Sequence, residues 1–483
     1  MFKDETRNNV WEQIRQRDLR PFADVLTTEA VQAAAQAANV RIGTSALNAG
    51  RMIWLGIIGA LHATRNFSDV LTMTLKLLED AQCKLPTGCR PGAKRQQTPR
   101  SKHDPRGSSA RISEEAFVQA RQKLPLALWT QLVLVLADSF QQQHPEHVRW
   151  KRFRLLMLDG SDIALPRWKR LLKHYGAAGS GTARTPQARM LMLAFAQARL
   201  PWRYEVVPQS CHEQTAAKRL LQHLNADDLV LMDRGFWSYG LFWQLQQQGA
   251  YFGIRLRNNM SLRRVKRLAK NDELVEWTPA KRGKKRCSWA GTGLPKTIRL
   301  RVLRYQVRGY RASAVVTNVL NPQDISREDW VRMAAVDQRG HVLEAGLYHR
   351  RWEIETMFYE LKVFQGLEGN LRGRSHRSIE FEIAGHVLLY LLIRWLMVEA
   401  ARKHGGHPLQ LSFKHALHEF EDLRVLLTIS SPDRVRDRLL PRLLDRIAQH
   451  RIVVRPGRHF PRAGDKYKLG KYRTRSQIKS KQT

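Results

Sequence analysis

Two apolar runs restrict what this chain can fold into: Phe153-Arg154-Leu155-Leu156-Met157-Leu158, which ends on Asp159, and Leu229-Val230-Leu231-Met232, which ends on Asp233. Short, near-continuous apolar runs of this kind read as strands buried on both faces, and such strands need a sheet with helices packed over it. Met190–Ala196, Tyr204–Val207 and Tyr251–Leu256 read as further strands, and Thr215–Leu221 as a helix between the two runs. Buried strands tend to deliver functional side chains where they leave the sheet. Asp159 and Asp233 are therefore candidate functional carboxylates as a pair, although for either one taken singly a turn or cap residue is the favoured reading. Asp162, three residues on, is a rival to Asp159; it is expected beyond the strand, in the turn.

The rest of the chain changes character several times. Asn8 to about Asp80 has helical patterning, with Ser68 as a candidate N-cap for the segment after it. Lys84 to Arg111 holds Pro86, Pro91, Pro99 and Pro105 among many basic residues, and reads equally well as a flexible connection or a DNA-ordered loop. A helix is expected from about Ser113 through Leu124 to about Phe140. A basic stretch from Arg257 to about Pro322 contains strand-like pieces such as Ile298–Leu303, and helices return from about Leu343. Cys83, Cys89, Cys211 and Cys287 lack zinc-site spacing and are expected to be thiols without a metal.

Charge narrows the choice of partner. Lys and Arg number 82 against 43 Asp and Glu, a formal net charge of +39, which exceeds what solubility requires and points to a polyanion. DNA, RNA and an anionic membrane surface all qualify. No apolar run approaches the ~20 residues that span a bilayer, so a membrane is disfavoured. Met52–Leu61 and Val387–Ile393 read as buried core segments, and Ile383–Val398 as a helix that packs on the core or on a partner. The start of the chain shows no signal-peptide pattern, so a cytoplasmic, nucleoid-associated protein is expected. Arg263–Arg267 and Lys281–Arg286 are expected DNA contacts by counterion release, while the basic tail from Arg455 is left open.

The most specific pattern comes late. Tyr348, Arg351, Glu355 and Lys362 obey Y-x2-R-x3-E-x6-K. At ~100° per residue on an α-helix they fall within an arc of roughly 60°, and Glu353 and Glu360 lie more than ~100° away. Glu344 shares the face but lies roughly 16 Å from Glu355 along the axis, too far to share a metal ion with it. A solvated salt-bridge face would account for Arg351 and Glu355, but not for Tyr348 and Lys362.

Three blocks together resemble the bacterial insertion-sequence transposases of family four: Leu158-Asp159-Gly160-Ser161 with Leu165-Pro166 after it, Asp233-Arg234-Gly235-Phe236, and the Y-R-E-K segment. These are DDE enzymes, and the resemblance covers about Arg154 to Leu396. It implies an α/β fold: an RNase H-like mixed-sheet catalytic core interrupted by a β-rich insertion, with a helical N-terminal domain and a helical, basic C-terminal region. The expected divisions are 1–83 helical, 84–112 linker, 113–150 leading helix, 151–256 first part of the core, 257–335 insertion, 336–402 second part of the core and 403–483 C-terminal region.

The function implied is metal-dependent cleavage at transposon ends followed by strand transfer. Asp159, Asp233 and Glu355 would hold two Mg²⁺ ions, with Mn²⁺ able to substitute, and Asp159 would bridge them. Tyr348, Arg351 and Lys362 would contact phosphates beside the scissile bond. Trp352 would stack on a flipped base, with a plain core tryptophan as the alternative, and Trp277, Trp289 or Trp330 would be the second stacking partner. The implied partners are double-stranded DNA, as transposon ends and target, and a second copy of the chain on that DNA. An RNase H-like nuclease without strand transfer, an inactive basic DNA-binding derivative and an RNA-binding or chromosome-coating protein are the competing readings.

Overall fold

The computed structural model describes residues 20–41, 49–80, 114–178, 184–257, 260–278, 293–306, 312–332, 335–336, 342–344 and 346–452. The stretches 84–111 and 281–286, the tail from Arg455, Trp289, Cys83, Cys89 and Cys287 lie outside them. Cys211 is a free, half-buried thiol.

The apolar runs build one sheet. Strands β1 (Arg149–Trp150), β2 (Phe153–Ala164), β3 (Ala177–Ala178), β4 (Thr185–Phe195), β5 (Leu200–Pro208), β6 (Asp228–Met232), β7 (Tyr251–Arg255), β8 (Arg263–Ala269), β9 (Asp272–Trp277), β10 (Ile298–Tyr305) and β11 (Ser313–Thr317) form a mixed, 11-stranded sheet. Its main path runs β3-β4-β2-β6-β7-β11-β10-β9-β8, with β1 on β2 and β5 on β4. β2, β6 and β7 pair in parallel, and β2–β4–β5 pair antiparallel. The basic stretch after Arg257 continues this same sheet through β7–β11 and does not stand apart from it.

Helices cover the sheet. In chain order they include α1 (Thr28–Ala37), α2 (Ala49–Leu61), α3 (Phe67–Asp80), α4 (Glu114–Lys123), α5 (Leu126–Gln143), α6 (Lys169–Tyr175), α7 (Glu213–Leu221), α8 (Tyr239–Gln247), α9 (Arg327–Val331), α10 (Glu353–Tyr359), α11 (His376–Lys403), α12 (Phe413–Ile429) and α13 (Leu440–Gln449). The helix expected from Ser113 to Phe140 is two helices bent by 67°, with Pro125 at the break; proline lacks the N–H that the ladder needs and clashes with the preceding turn. Ser68 lies inside α3, and the Asn66 side chain caps it instead, accepting from the Asp69 N–H at 2.8 Å.

α11 is the central element. By length and composition it could cross a membrane, yet its most apolar window is 100% buried inside the protein. It packs against α2, α4, α5, α12 and α13, so Ile383–Val398 belongs to the core. α2 crosses it where Gly56 faces Gly385, and a Cβ on Gly385 would collide with the Gly56 carbonyl. Two helices touching backbone to backbone tolerate no side chain at that point.

Candidate active site

The register of the parallel pair β2–β6 builds the centre of the site. Leu158 faces Met232, and pairing with β6 ends there. Asp159 and Asp233 are thus the next residues on neighbouring strands, whose spacing is ~4.8 Å. Asp233 leaves the sheet at once, opening the 3₁₀ turn Arg234–Phe236. Asp159 does not, because β2 continues to Ala164, paired with β4 (Asp159 opposite Met192). The expectation of a strand end at Asp159 holds only for the parallel pairing. Asp162 is correspondingly inside the strand, and its two carboxylate oxygens accept from Arg189 at 2.8 and 3.1 Å. That fork-to-fork pair accounts for Asp162 as a structural residue.

The Y-R-E-K segment is not one α-helix. Leu347–Trp352 is a 3₁₀ helix, Glu353–Tyr359 is α, and Glu360–Phe364 is a π turn. In 3₁₀ geometry residues i and i+3 eclipse, so Tyr348 and Arg351 lie above one another, 7% and 6% exposed. Arg351 reaches between two carboxylates, with Nη2 donating to Glu355 Oε1 at 2.9 Å and Nη1 lying 3.9 Å from Asp159 Oδ2. Lys362 donates to the Asp162 carbonyl and lies 3.6 Å from Glu368. The structure thus brings Asp159, Arg351 and Glu355 into one contact and ties Lys362 to the same strand. The Tyr348 hydroxyl, which burial holds above its ordinary pKa, makes no hydrogen bond among the described residues.

Glu353 and Glu360, excluded above by helical phase, have a mechanical role. Arg199 binds both, donating to Glu360 Oε1 at 2.8 Å, while the Tyr390 hydroxyl donates to Glu360 Oε2. Arg394, fully buried on α11, anchors beside them on the Ala198 carbonyl at 2.9 Å. This network clamps the segment to the sheet and to α11.

Sequence reasoning missed Glu213, in the first turn of α7. A Cβ on Gly160 would strike its carboxylate, and one on Gly235 would lie 3.8 Å from Glu213 Oε2. The glycines of both aspartate motifs therefore mark where this fourth carboxylate lies; in sequence they carried the only trace of it. Burial raises the pKa of Glu213, with Arg189 opposing and Asp162 and Asp233 adding to the rise. Gly160→Ala should leave the fold intact and displace that side chain, cutting DNA cleavage by about tenfold or more, the size of effect that follows when the support of a metal site is disturbed. Unchanged cleavage would make Gly160 a packing residue only.

Burial pushes the Asp159 carboxyl up to about 7; the Gly160 N–H and Arg351 pull against this, and Glu213 and Asp233 add to it. Among the described residues no three His, Cys, Asp or Glu side chains converge as a closed metal cage. The donors nonetheless suit a hard divalent cation: they are carboxylate oxygens, poorly solvated at Asp159, with the positively charged Arg351 guanidinium lying between Asp159 and Glu355. Glu355, half exposed, has room to move.

Trp352 is 50% exposed, with the His349 ring 5.4 Å away and the Arg351 guanidinium 5.8 Å from its centre. The expectation of a second platform at Trp277 or Trp330 fails. Trp277 is packed among Trp237, Tyr239 and Phe242, and Trp330 is fully buried against Gly253.

Residues 150–392, which hold Asp159, Asp233 and Glu355, match the family model of the transposase DDE domain. The chain belongs to that family and is a DDE transposase, as the three sequence blocks implied. Among curated proteins it is similar to "Transposase InsG for insertion sequence element IS4" of Escherichia coli (strain K12), with 27% identity over 373 residues, 74% of this chain and 77% of that protein. Among solved structures it aligns with a piggyBac transposase synaptic complex with hairpin DNA at 11% identity, covering 97% of this chain and 90% of that one. The TM-score of that alignment is 0.36.

Proposed function

We propose that Asp159, Asp233 and Glu355 are the metal-binding triad with which this transposase cuts at the ends of its element and joins them to target DNA by a cut-and-paste route. The observation that carries this reading is the register that sets Asp159 beside Asp233, with Arg351 joining Asp159 to Glu355. We read the β2–β4–β5–β6–β7 sheet as an RNase H-like core, with the domain divisions given above. Two Mg²⁺ ions bound there, or Mn²⁺ in their place, would stabilise the attacking and leaving oxygens and lower the pKa of the attacking water or 3′-hydroxyl.

The chain's own residues do the rest. Arg351, which lies between Asp159 and Glu355, would hold a phosphate there through two donors. The unpartnered Tyr348 hydroxyl and the Lys362 ammonium extend that grip along the strand, and Trp352 offers an exposed face to an unstacked base. Edge strand β8, exposed over Arg263–Arg267, contacts DNA further out, although Arg263 and Arg264 already pair with Glu276 and Glu273. The protein acts on bacterial DNA in the cytoplasm, as a dimer assembled on two ends.

The test is Mg²⁺-dependent cleavage of labelled DNA carrying the flanks of the element. Glu355→Gln should bind that DNA like the wild type and cut it at least about a hundredfold more slowly, the size of loss seen when one electrostatic stabiliser is removed. Equal cutting by both proteins would remove Glu355 from the triad.

A further inference from the structure

A second exposed tryptophan lies at the other end of the site. Trp168 is 43% exposed, and the Arg374 guanidinium sits 4.8 Å from its ring centre. It thereby repeats the arrangement of Trp352 with Arg351. An indole left in water beside an arginine offers one flat apolar face to a planar partner, and nucleobases are the planar groups this protein handles.

The surroundings carry charge of one sign. Arg167, Lys169, Arg170 and Lys173 are exposed around Trp168, and Arg374 and Arg377 are exposed on the segment facing it. The sequence has no Asp or Glu from Ile163 to Tyr204, and none between Glu368 and Glu380. Of the two acids that bound the second stretch, Glu368 holds the Ala164 N–H and lies 3.6 Å from Lys362, and Glu380 lies half-buried beside Arg377 at the edge of the patch. The remaining surface is complementary to phosphate.

Its position follows from β2. From Asp159 to Ala164 that strand advances roughly 17 Å, and Lys362 touches it at Asp162 on the way. Trp352 marks the Tyr348 end of the Y-R-E-K face, and Trp168 lies beyond its Lys362 end. A strand laid along that face would run off past Lys362 onto the Trp168 surface.

We propose that Trp168 with Arg374 is a second base-stacking platform, and that Arg167, Lys169, Arg170 and Lys173 hold the phosphates of a DNA strand leaving the active site past Lys362. This rests on the DNA-cutting reading above, but not on the identity of the metal ligands. Stacking accepts any base, so the occupant is defined by its unpaired state and not by its sequence.

The experiment measures binding of full-length protein, without divalent metal, to a blunt duplex and to the same duplex with a short single-stranded extension. Trp168→Ala should lose about tenfold in affinity for the extended DNA and nothing for the blunt one, while Trp168→Phe keeps both. Joint replacement of Arg167, Lys169, Arg170 and Lys173 by Gln should flatten the salt dependence for the extended DNA by ~0.7 for each phosphate no longer neutralised. The proposal is overturned if Trp168→Ala binds both DNAs like the wild type, or if Ala and Phe weaken both DNAs equally. Because no cutting is scored, failure here leaves the Glu355→Gln test untouched, and failure of that test leaves this one readable.

Discussion

Asp159→Asn is expected to lower DNA cutting by at least about 10²–10³-fold, the cost of removing one preorganised charge, and to make the metal-free protein more stable at pH 8. The second effect follows from burial, which pushes the Asp159 carboxyl up to about 7 from 3.8. A carboxyl whose pKa is raised in the fold contributes stability that is fully present below its unfolded value, near pH 4, and is lost as pH rises through about 7. At pH 8 the wild type must therefore hold a poorly solvated charge that Asn does not carry. The side chain is 20% exposed, so the gain is on the order of 2–4 kcal/mol, with one pKa unit worth ~1.4 kcal/mol. It should shrink steadily as pH is lowered toward 4. Urea unfolding in EDTA at pH 8 and pH 5 reads it directly. A variant less stable than wild type at both values would show that Asp159 is held as a structural anion.

The second large effect concerns the clamp under the Y-R-E-K segment. Arg199→Met leaves Glu360, 2% exposed, with only the Tyr390 hydroxyl and Arg394, whose nearest nitrogen is 4.0 Å away, among the described residues. Breaking a buried ion pair from one side costs about 3–5 kcal/mol, because the remaining charge stays desolvated. The loss should concentrate where the network is attached, so proteolysis should open the 347–364 segment before the sheet. Cutting should fall with it, while binding to blunt duplex is kept. A stability change under about 1 kcal/mol would mean that water or another side chain satisfies Glu360 in solution.

These two residues illustrate what the sequence made legible. Asp159 and Asp233 were visible because an apolar run that stops on an acid is unusual, and the strand pattern carries its own register once the runs are found. Glu355 was visible through its spacing from Tyr348, Arg351 and Lys362. Helical phase set Glu353 and Glu360 apart from Glu355, but could not reveal Arg199, which lies some 150 residues earlier in sequence and meets them only in the fold. Phase also assumed one uniform helix, whereas the segment passes through 3₁₀, α and π geometry. Tryptophan composition could not distinguish a core ring from a surface one. Trp277 and Trp330 sit in the expected 257–335 insertion yet are buried, and Trp168, beside a motif already singled out, is exposed. Asp162 shows the same limit in a strand: its neighbour Arg189 is fixed by pairing with β4, which local pattern does not encode.

The crossing of α2 and α11 at Gly56 and Gly385 bears on how such an element can shrink. The first eighty residues carry none of the proposed triad. Yet α2, which lies among them, meets α11 backbone to backbone at Gly56 and Gly385, and the same α11 holds Arg394 under the clamp. A deletion there would remove the lid of the scaffold on which the cutting site is mounted. The leading helix α2 is thus part of the foundation of the cutting site, whatever else it touches.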